Sequence, residues 1–208
     1  MKNITNYKSE QEKFWAGKFG TEYSVRRDGD RLLASNLNFL SKALSKASNL
    51  KNCIEFGANV GMNLRALKLL KPNMKIDAIE INKNAVDELK NLLGRERVYF
   101  GSILDYIPKD RFDLVLIKTV LIHINPEYLK IVYQKLYDST NRYILLCEYH
   151  NPTPVTVTYR GHEERLFKRD FAGEMLDTYN DLSLVDYGFF YHRDEAFPPD
   201  DINWFLLK

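Results

Sequence analysis

Two glycines, one glutamate and one histidine carry the first chemical signal in the chain. Gly57 and Gly61 stand four residues apart in the segment IEFGANVGMNL, and Glu80 follows the second by nineteen residues. Glycines at a strand-to-helix turn let the backbone bend sharply and let a ligand approach with no Cβ in the way. A carboxylate ending the next strand can accept hydrogen bonds from both hydroxyls of a ribose. His123 lies just beyond a long apolar run. An imidazole of ordinary pKa, near ~6.5, can take a proton from an attacking hydroxyl or amine. Its alternative use is as a helix cap or a core residue. Lys118, five residues earlier, could act electrostatically.

The loop spacing discriminates among ligands. A dinucleotide loop needs three glycines, G-x-G-x-x-G, and the middle one is missing here. The Lys and Ser/Thr of a triphosphate loop are missing too. Glu55, two residues before Gly57, is unsuited to a pyrophosphate and suited to a cation. S-adenosylmethionine carries a sulfonium and an ammonium and no phosphate, so it fits an acidic loop better than NAD or ATP.

A second set of residues is polar and aromatic. Near the start, Phe14, Trp15, Phe19 and Tyr23 interleave with Lys13, Lys18, Arg26 and Arg27. Such a segment can fold over a cleft and exclude water, or pack its rings on the core. Beyond Glu148, the stretch through Arg165 holds Tyr149, His150, Asn151, Tyr159, Arg160, His162 and Glu163. Arg160 and Arg165 could grip a carboxylate or phosphate with both arms of the guanidinium. The same residues could instead satisfy one another. Metal-site spacing is absent, so no metal is expected.

These groups need a scaffold, and the middle of the chain alternates strand and helix. Strands are expected at Cys53–Phe56, Lys75–Ile81, Arg97–Phe100, Phe112–Ile117 and Tyr143–Glu148. Helices are expected at Gly61–Leu70, Asn82–Leu93 and Pro126–Tyr137. FDLVLI reads as a strand buried on both faces. The ends differ. Ser9–Lys18 and Arg31–Ala47 read as helices, 149–163 as irregular, Lys168–Tyr179 as a helix, and Leu182–Tyr191 and Asn203–Leu207 as an antiparallel pair. The expected fold is α/β and doubly wound (Rossmann-like): a seven-stranded, mostly parallel sheet with an antiparallel C-terminal strand pair and an N-terminal helical cap. One domain is expected over 1–208, with the cap at 1–48, a cofactor half at 49–148, and a substrate loop with the last strands at 149–208.

Composition narrows the function classes. The 208 residues have a net charge of +2, so a dedicated duplex-binding surface is not expected, although a local basic patch is not excluded. The start, MKNITNYKSEQEKFW, is polar and does not read as a secretory signal. No apolar run approaches the roughly 18 residues of a membrane span. Cys53 and Cys147 sit in apolar runs and read as reduced thiols in a cytoplasmic protein.

From roughly Lys51 to Glu148 the chain resembles class I S-adenosylmethionine-dependent methyltransferases. E-F-G-x-x-x-G resembles their first motif, and Glu80 their second. Gly101-Ser102-Ile103 resembles the loop beside the adenine, and FDLVLIKTVLIHI the motif beside the transferred methyl. The resemblance implies that Glu55, Gly57, Ala58 and Asn59, with Gly61 and Lys118 nearby, surround the methionine end. It implies that Glu80 and Ile81 hold the ribose, and that Ser102 and Ile103 face the adenine. One departure is that the acid usual after Gly101 is missing, and Asp105 comes three positions later than it would.

A second resemblance covers most of the chain. QEKFWAGKFGTEYSVR, LIHINPEYL and EYHNPTPVTVTYRGHEERLFKRDFAGE look like bacterial methylases associated with pseudaminic acid biosynthesis. This implies a small sugar or sugar-nucleotide acceptor, a nonulosonic acid or a precursor of one. The residues themselves support a polar, anionic ligand, with Trp15, Tyr23, Arg26, Tyr149, His150, Tyr159, Arg160, His162 and Arg165 the expected substrate contacts and His123 the expected base. The alternatives are a nucleic-acid or protein acceptor, or a non-catalytic protein of the same fold. The sequence does not set the oligomeric state.

Overall fold

The computed structural model describes residues 6–26, 29–198 and 200–208. Among the described residues, nine strands follow in chain order: β1 (Asn52–Phe56), β2 (Lys75–Glu80), β3 (Val98–Phe100), β4 (Phe112–Lys118), β5 (Thr140–Glu148), β6 (Val155–Tyr159), β7 (His162–Lys168), β8 (Leu184–Phe190) and β9 (Ile202–Leu207). The α-helices are α1 (Glu10–Ala16), α2 (Lys18–Arg26), α3 (Asp30–Ala43), α4 (Met62–Leu70), α5 (Lys83–Leu93), α6 (Leu129–Asp138) and α7 (Phe171–Thr178).

Seven strands form one sheet in the order β3-β2-β1-β4-β5-β9-β8. The first five are parallel, and β9 and β8 close the edge antiparallel. The expected doubly wound sheet is therefore the observed one. The chain reverses direction across the sheet between β1 and β4. In such sheets the strand ends at the reversal open a crevice for ligands.

Each face of the sheet has its own core. Leu40, Leu64, Leu67 and Leu89 bring α3, α4 and α5 onto one face. Leu129, Val132, Leu136, Phe171 and Met175 bring α6 and α7 onto the other. Burial on both faces explains why the first six residues of β4, from Phe112 to Ile117, are all buried. Among the described residues, no helix is long and apolar enough to cross a membrane.

The ends depart from expectation in three places. The first helix stops at Ala16, where Gly17 turns extended, and a second helix, α2, follows it. The next helix ends at Ala43 rather than at 47. The stretch expected to be irregular holds the β6–β7 hairpin. Its turn is Arg160-Gly161, both at positive φ (50° and 82°). That is the two-residue turn whose twist matches a hairpin. Arg is a rare occupant of such a position, so the usual Asn-Gly or Asp-Gly signal is missing from the sequence.

Candidate active site

The crevice beyond β1, β2, β3 and β4 holds a cavity of about 1260 Å³, its open mouth included. The glycine loop forms its floor. Gly57 lies at φ 75°, and a Cβ there would meet Val120 at 2.6 Å. The Gly57 and Ala58 amides both donate to the Ile79 carbonyl, at 2.9 and 3.0 Å, fastening the loop to β2. Gly57, Ala58 and Asn59 line the cavity. Gly61 does not. It starts α4 at φ 79°, where a Cβ would strike Leu89 and Leu92 at 2.9 Å. Its place is in helix packing.

Glu80 ends β2 inside the cavity wall and is 7% exposed. Its carboxylate accepts the backbone N–H of Asn59 (2.7 Å), Ile81 (2.9 Å) and Asn82 (2.7 Å). A carboxylate has about four acceptor sites, so roughly one is left for a ligand. Burial raises its pKa, and the three amides act against that rise. Ile81, Ser102 and Ile103 line the same end. The Ser102 hydroxyl donates to Glu12 of α1 and accepts from the Leu104 amide. Asp105 pairs with Lys8 at 2.6 Å and is absent from the cavity wall.

Glu55 corrects an expectation. It is 1% exposed and lies behind the loop, outside the cavity lining. Its Oε1 accepts from Asn63 Nδ2 at 2.6 Å, and it is Asn63 that lines the cavity. Burial pushes the Glu55 pKa up to about 8. Lys118 lines the cavity, and its charge favours the ionised forms of both Glu55 and Glu148.

His123 also lines the cavity, on a short helical turn over Leu121–His123. The Glu148 carboxylate accepts the Val120 and Leu121 amides (2.9 and 2.8 Å) and so holds the start of that turn. His123 Nδ1 lies 2.5 Å from the Arg165 carbonyl. A carbonyl only accepts, so Nδ1 carries the proton and Nε2 keeps its lone pair. Burial lowers the imidazole pKa to about 4. The ordinary value assumed from sequence is therefore corrected: this ring is neutral at pH 7 and weakly basic.

The aromatic segments converge on this histidine. Trp15 lies 4.6 Å from the His123 ring centre and Tyr159 lies 4.9 Å from it. Tyr23 and Phe19 flank Trp15 at 5.2 and 5.4 Å. The cap is tied across the cavity by polar bonds. Asn82 Nδ2 donates to the Trp15 carbonyl (3.2 Å) and to Thr21 (3.1 Å), and Ser24 donates to Asn59 Oδ1 (2.7 Å). Gln11 donates to the Glu164 carbonyl of the hairpin at 2.9 Å.

Of the expected substrate contacts, Trp15 and Tyr23 line the cavity. Tyr149, His150, Tyr159, Arg160, His162 and Arg165 do not. Tyr159 and His162 pack on the cap rings. His150 faces Asp170 at 3.7 Å, and Tyr149 lies under Lys168. Arg160 sits over Tyr159 at the hairpin turn. Arg165 lies over Phe14 and donates to the Glu163 and Glu164 carbonyls. Neither arginine, each expected to grip an anion, is part of the cavity lining. The Arg26 side chain, like Arg27, lies outside the described residues. Glu12, Ser24, Asn63 and Asn82 line the cavity and were not singled out from the sequence. The Ser9-x-x-Glu12 spacing is a capping box, realised in α1, and was the one available signal for Glu12.

No protein-family model matches the chain, and no curated protein does. Solved structures share its fold. A 1,6-didemethyltoxoflavin-N1-methyltransferase from Burkholderia thailandensis, with 1,6-didemethyltoxoflavin and S-adenosylhomocysteine bound, aligns with a TM-score of 0.71 at 13% identity, covering 99% of this chain and 92% of that one. A SAM-dependent methyltransferase from Leishmania major aligns at 0.66 and 16% identity, covering 96% and 87%. An S-adenosylmethionine-dependent methyltransferase from Clostridium acetobutylicum aligns at 0.64 and 14%, covering 91% and 97%.

Proposed function

We propose that this chain is an S-adenosylmethionine-dependent methyltransferase acting on a small, polar, sugar-derived acceptor of the nonulosonic or pseudaminic acid type. One observation carries the reading: a single cavity runs from the glycine loop and Glu80 to His123. The residues suit this cofactor. Glu80 keeps an acceptor site for a ribose hydroxyl, and Ile81 and Ile103 offer apolar walls to a planar base. Among the described lining residues, Lys118 is the one Lys or Arg, which suits a ligand without phosphates. Asn63 Oδ1 is buried without a partner, an acceptor available to an ammonium. The bound cofactor supplies a methyl group on a sulfonium, transferred by in-line displacement.

The protein's part is alignment and water exclusion. Trp15 and Tyr23 wall the far end. His123, its Nδ1 proton held by the Arg165 carbonyl, presents Nε2 to the hydrogen of the attacking O–H or N–H and takes that proton as positive charge develops on the nucleophile. The aromatic walls suit a compact acceptor, and the sequence resemblance to the pseudaminic acid methylases supports the sugar class.

Titration with S-adenosylhomocysteine and, separately, NAD tests the cofactor. Binding of the first alone is expected, and binding of NAD alone would overturn the reading. Labelled methyl transfer to nucleotide-activated nonulosonic acids and to mixed oligonucleotides then tests the acceptor. Transfer to the oligonucleotides alone would refute the sugar assignment.

A further inference from the structure

Two buried oxygens have no partner, Asn63 Oδ1 at the floor of the cavity and Glu55 Oε2 on the strand behind it. They belong to one pair, because Asn63 Nδ2 donates to the other Glu55 oxygen at 2.6 Å. That bond leaves the Asn63 carbonyl oxygen free of the glutamate. Asn63 borders the cavity, and Glu55, on the strand behind, does not. An unmet buried acceptor costs folding free energy, so its persistence points to a donor that arrives with a ligand.

We infer that Asn63 is the residue that reads the ligand's ammonium group, and that Glu55 is a positioning residue that fixes the asparagine amide from behind. The inference rests on the cofactor reading above and assigns within it a contact the loop pattern does not predict. The chemistry is specific. An ammonium has three donors and no acceptor, so it matches a carbonyl oxygen. The amide's Nδ2 end would repel it, and the bond to Glu55 keeps that end turned away.

Two probes separate the contact from the rest of the site. S-adenosylhomocysteine carries the ammonium, and 5′-methylthioadenosine has the same adenosine and sulfur without the amino-acid arm. Calorimetry with both is expected to show that Asn63→Ala weakens S-adenosylhomocysteine roughly ten- to a hundredfold, the range for a hydrogen bond to a charged group. Methylthioadenosine should bind the variant as it binds the natural chain, which also reports an intact fold. Equal loss for both probes, or for neither, overturns the inference.

Glu55 is tested by a pair of variants. Glu55→Gln keeps an oxygen for Asn63 Nδ2 and should retain S-adenosylhomocysteine binding, whereas Glu55→Leu should lose it selectively. If Gln loses as much as Leu, the carboxylate meets the ammonium directly and the positioning role is wrong. If the natural chain binds neither probe, it is the cofactor reading that fails.

Discussion

The two ends of the cavity are built by different means. At the glycine loop the main chain does the holding. Two amides tie the loop to β2, and three more hold the Glu80 carboxylate. At the His123 end, rings from segments far apart in the chain pack on one another: Trp15 from α1 and His123 wall the cavity, and Tyr159 from β6 backs His123. A site held by backbone amides inherits the rigidity of the sheet. A site held by packed rings depends on three segments docking together, and its shape changes when any one side chain changes.

The largest effect should come from the ring-built end. His123→Ala is expected to lower the methyl-transfer rate about 10²- to 10⁴-fold, with S-adenosylhomocysteine affinity little changed. Rates with saturating cofactor check it, and a loss smaller than about tenfold would leave the ring a structural role only.

Next comes a pH effect on the floor. The folded protein keeps the Glu55 proton up to about 8, whereas the reference value is 4.5. Between these values the folded state binds more protons than the unfolded state, so stability falls as pH rises. Glu55→Gln should remove that fall, which is of order 3 kcal/mol. Urea unfolding at pH 5 and pH 8 measures it, and equal slopes in both proteins would contradict the buried acid. His123 works with the opposite sign. Its folded pKa of about 4 lies below the ordinary 6.5, so its contribution is present above 6.5 and is lost as pH falls toward 4.

Glu80→Ala strikes the backbone-built end. Roughly hundredfold weaker S-adenosylhomocysteine binding is expected, together with about 1–3 kcal/mol of lost stability from amides left without their acceptor. Unchanged affinity would contradict the ribose contact. The smallest effect belongs to Trp15→Phe, which keeps a ring against His123. It should raise the acceptor KM by a factor of about 2–5 without moving cofactor affinity. A change confined to the cofactor would reverse the assignment of the two ends.

The same contrast decides what could be read from sequence. The central strands and helices were legible because period and punctuation mark them: FDLVLI as a buried strand, Gly94 after a helix, Glu80 at a strand end. The resemblance of the loop to a methyltransferase motif pointed to Gly57, Ala58 and Asn59, and all three line the cavity. The β6–β7 hairpin was not legible, because Arg160 occupies a left-handed position that normally calls for Asn, Asp or Gly. Arg160 and Arg165 read as anion grips by residue type, yet they lie over the rings of Tyr159 and Phe14. Glu55 reads as a cavity acid by spacing, but strand alternation turns it toward α4 and Asn63. Alternation along β1 was available in the sequence for Glu55, whereas the docking of distant segments leaves no periodic trace in a single sequence.

The cap bonds set out above also bear on timing. Trp15, Thr21 and Ser24 are joined to Asn82 and Asn59, and Glu12 to Ser102, so α1 and α2 bridge the rim above the cavity floor. In the proposed reaction, a product leaving the floor would have to wait for some of those bonds to break together. Rate-limiting release of that kind would be read as a burst of methylated product in the first turnover, and a linear time course would exclude it. Loosening Asn82 or Ser24 would then shorten the wait while admitting water, so in that scheme the bonds that shield the floor would also set how soon it is free again.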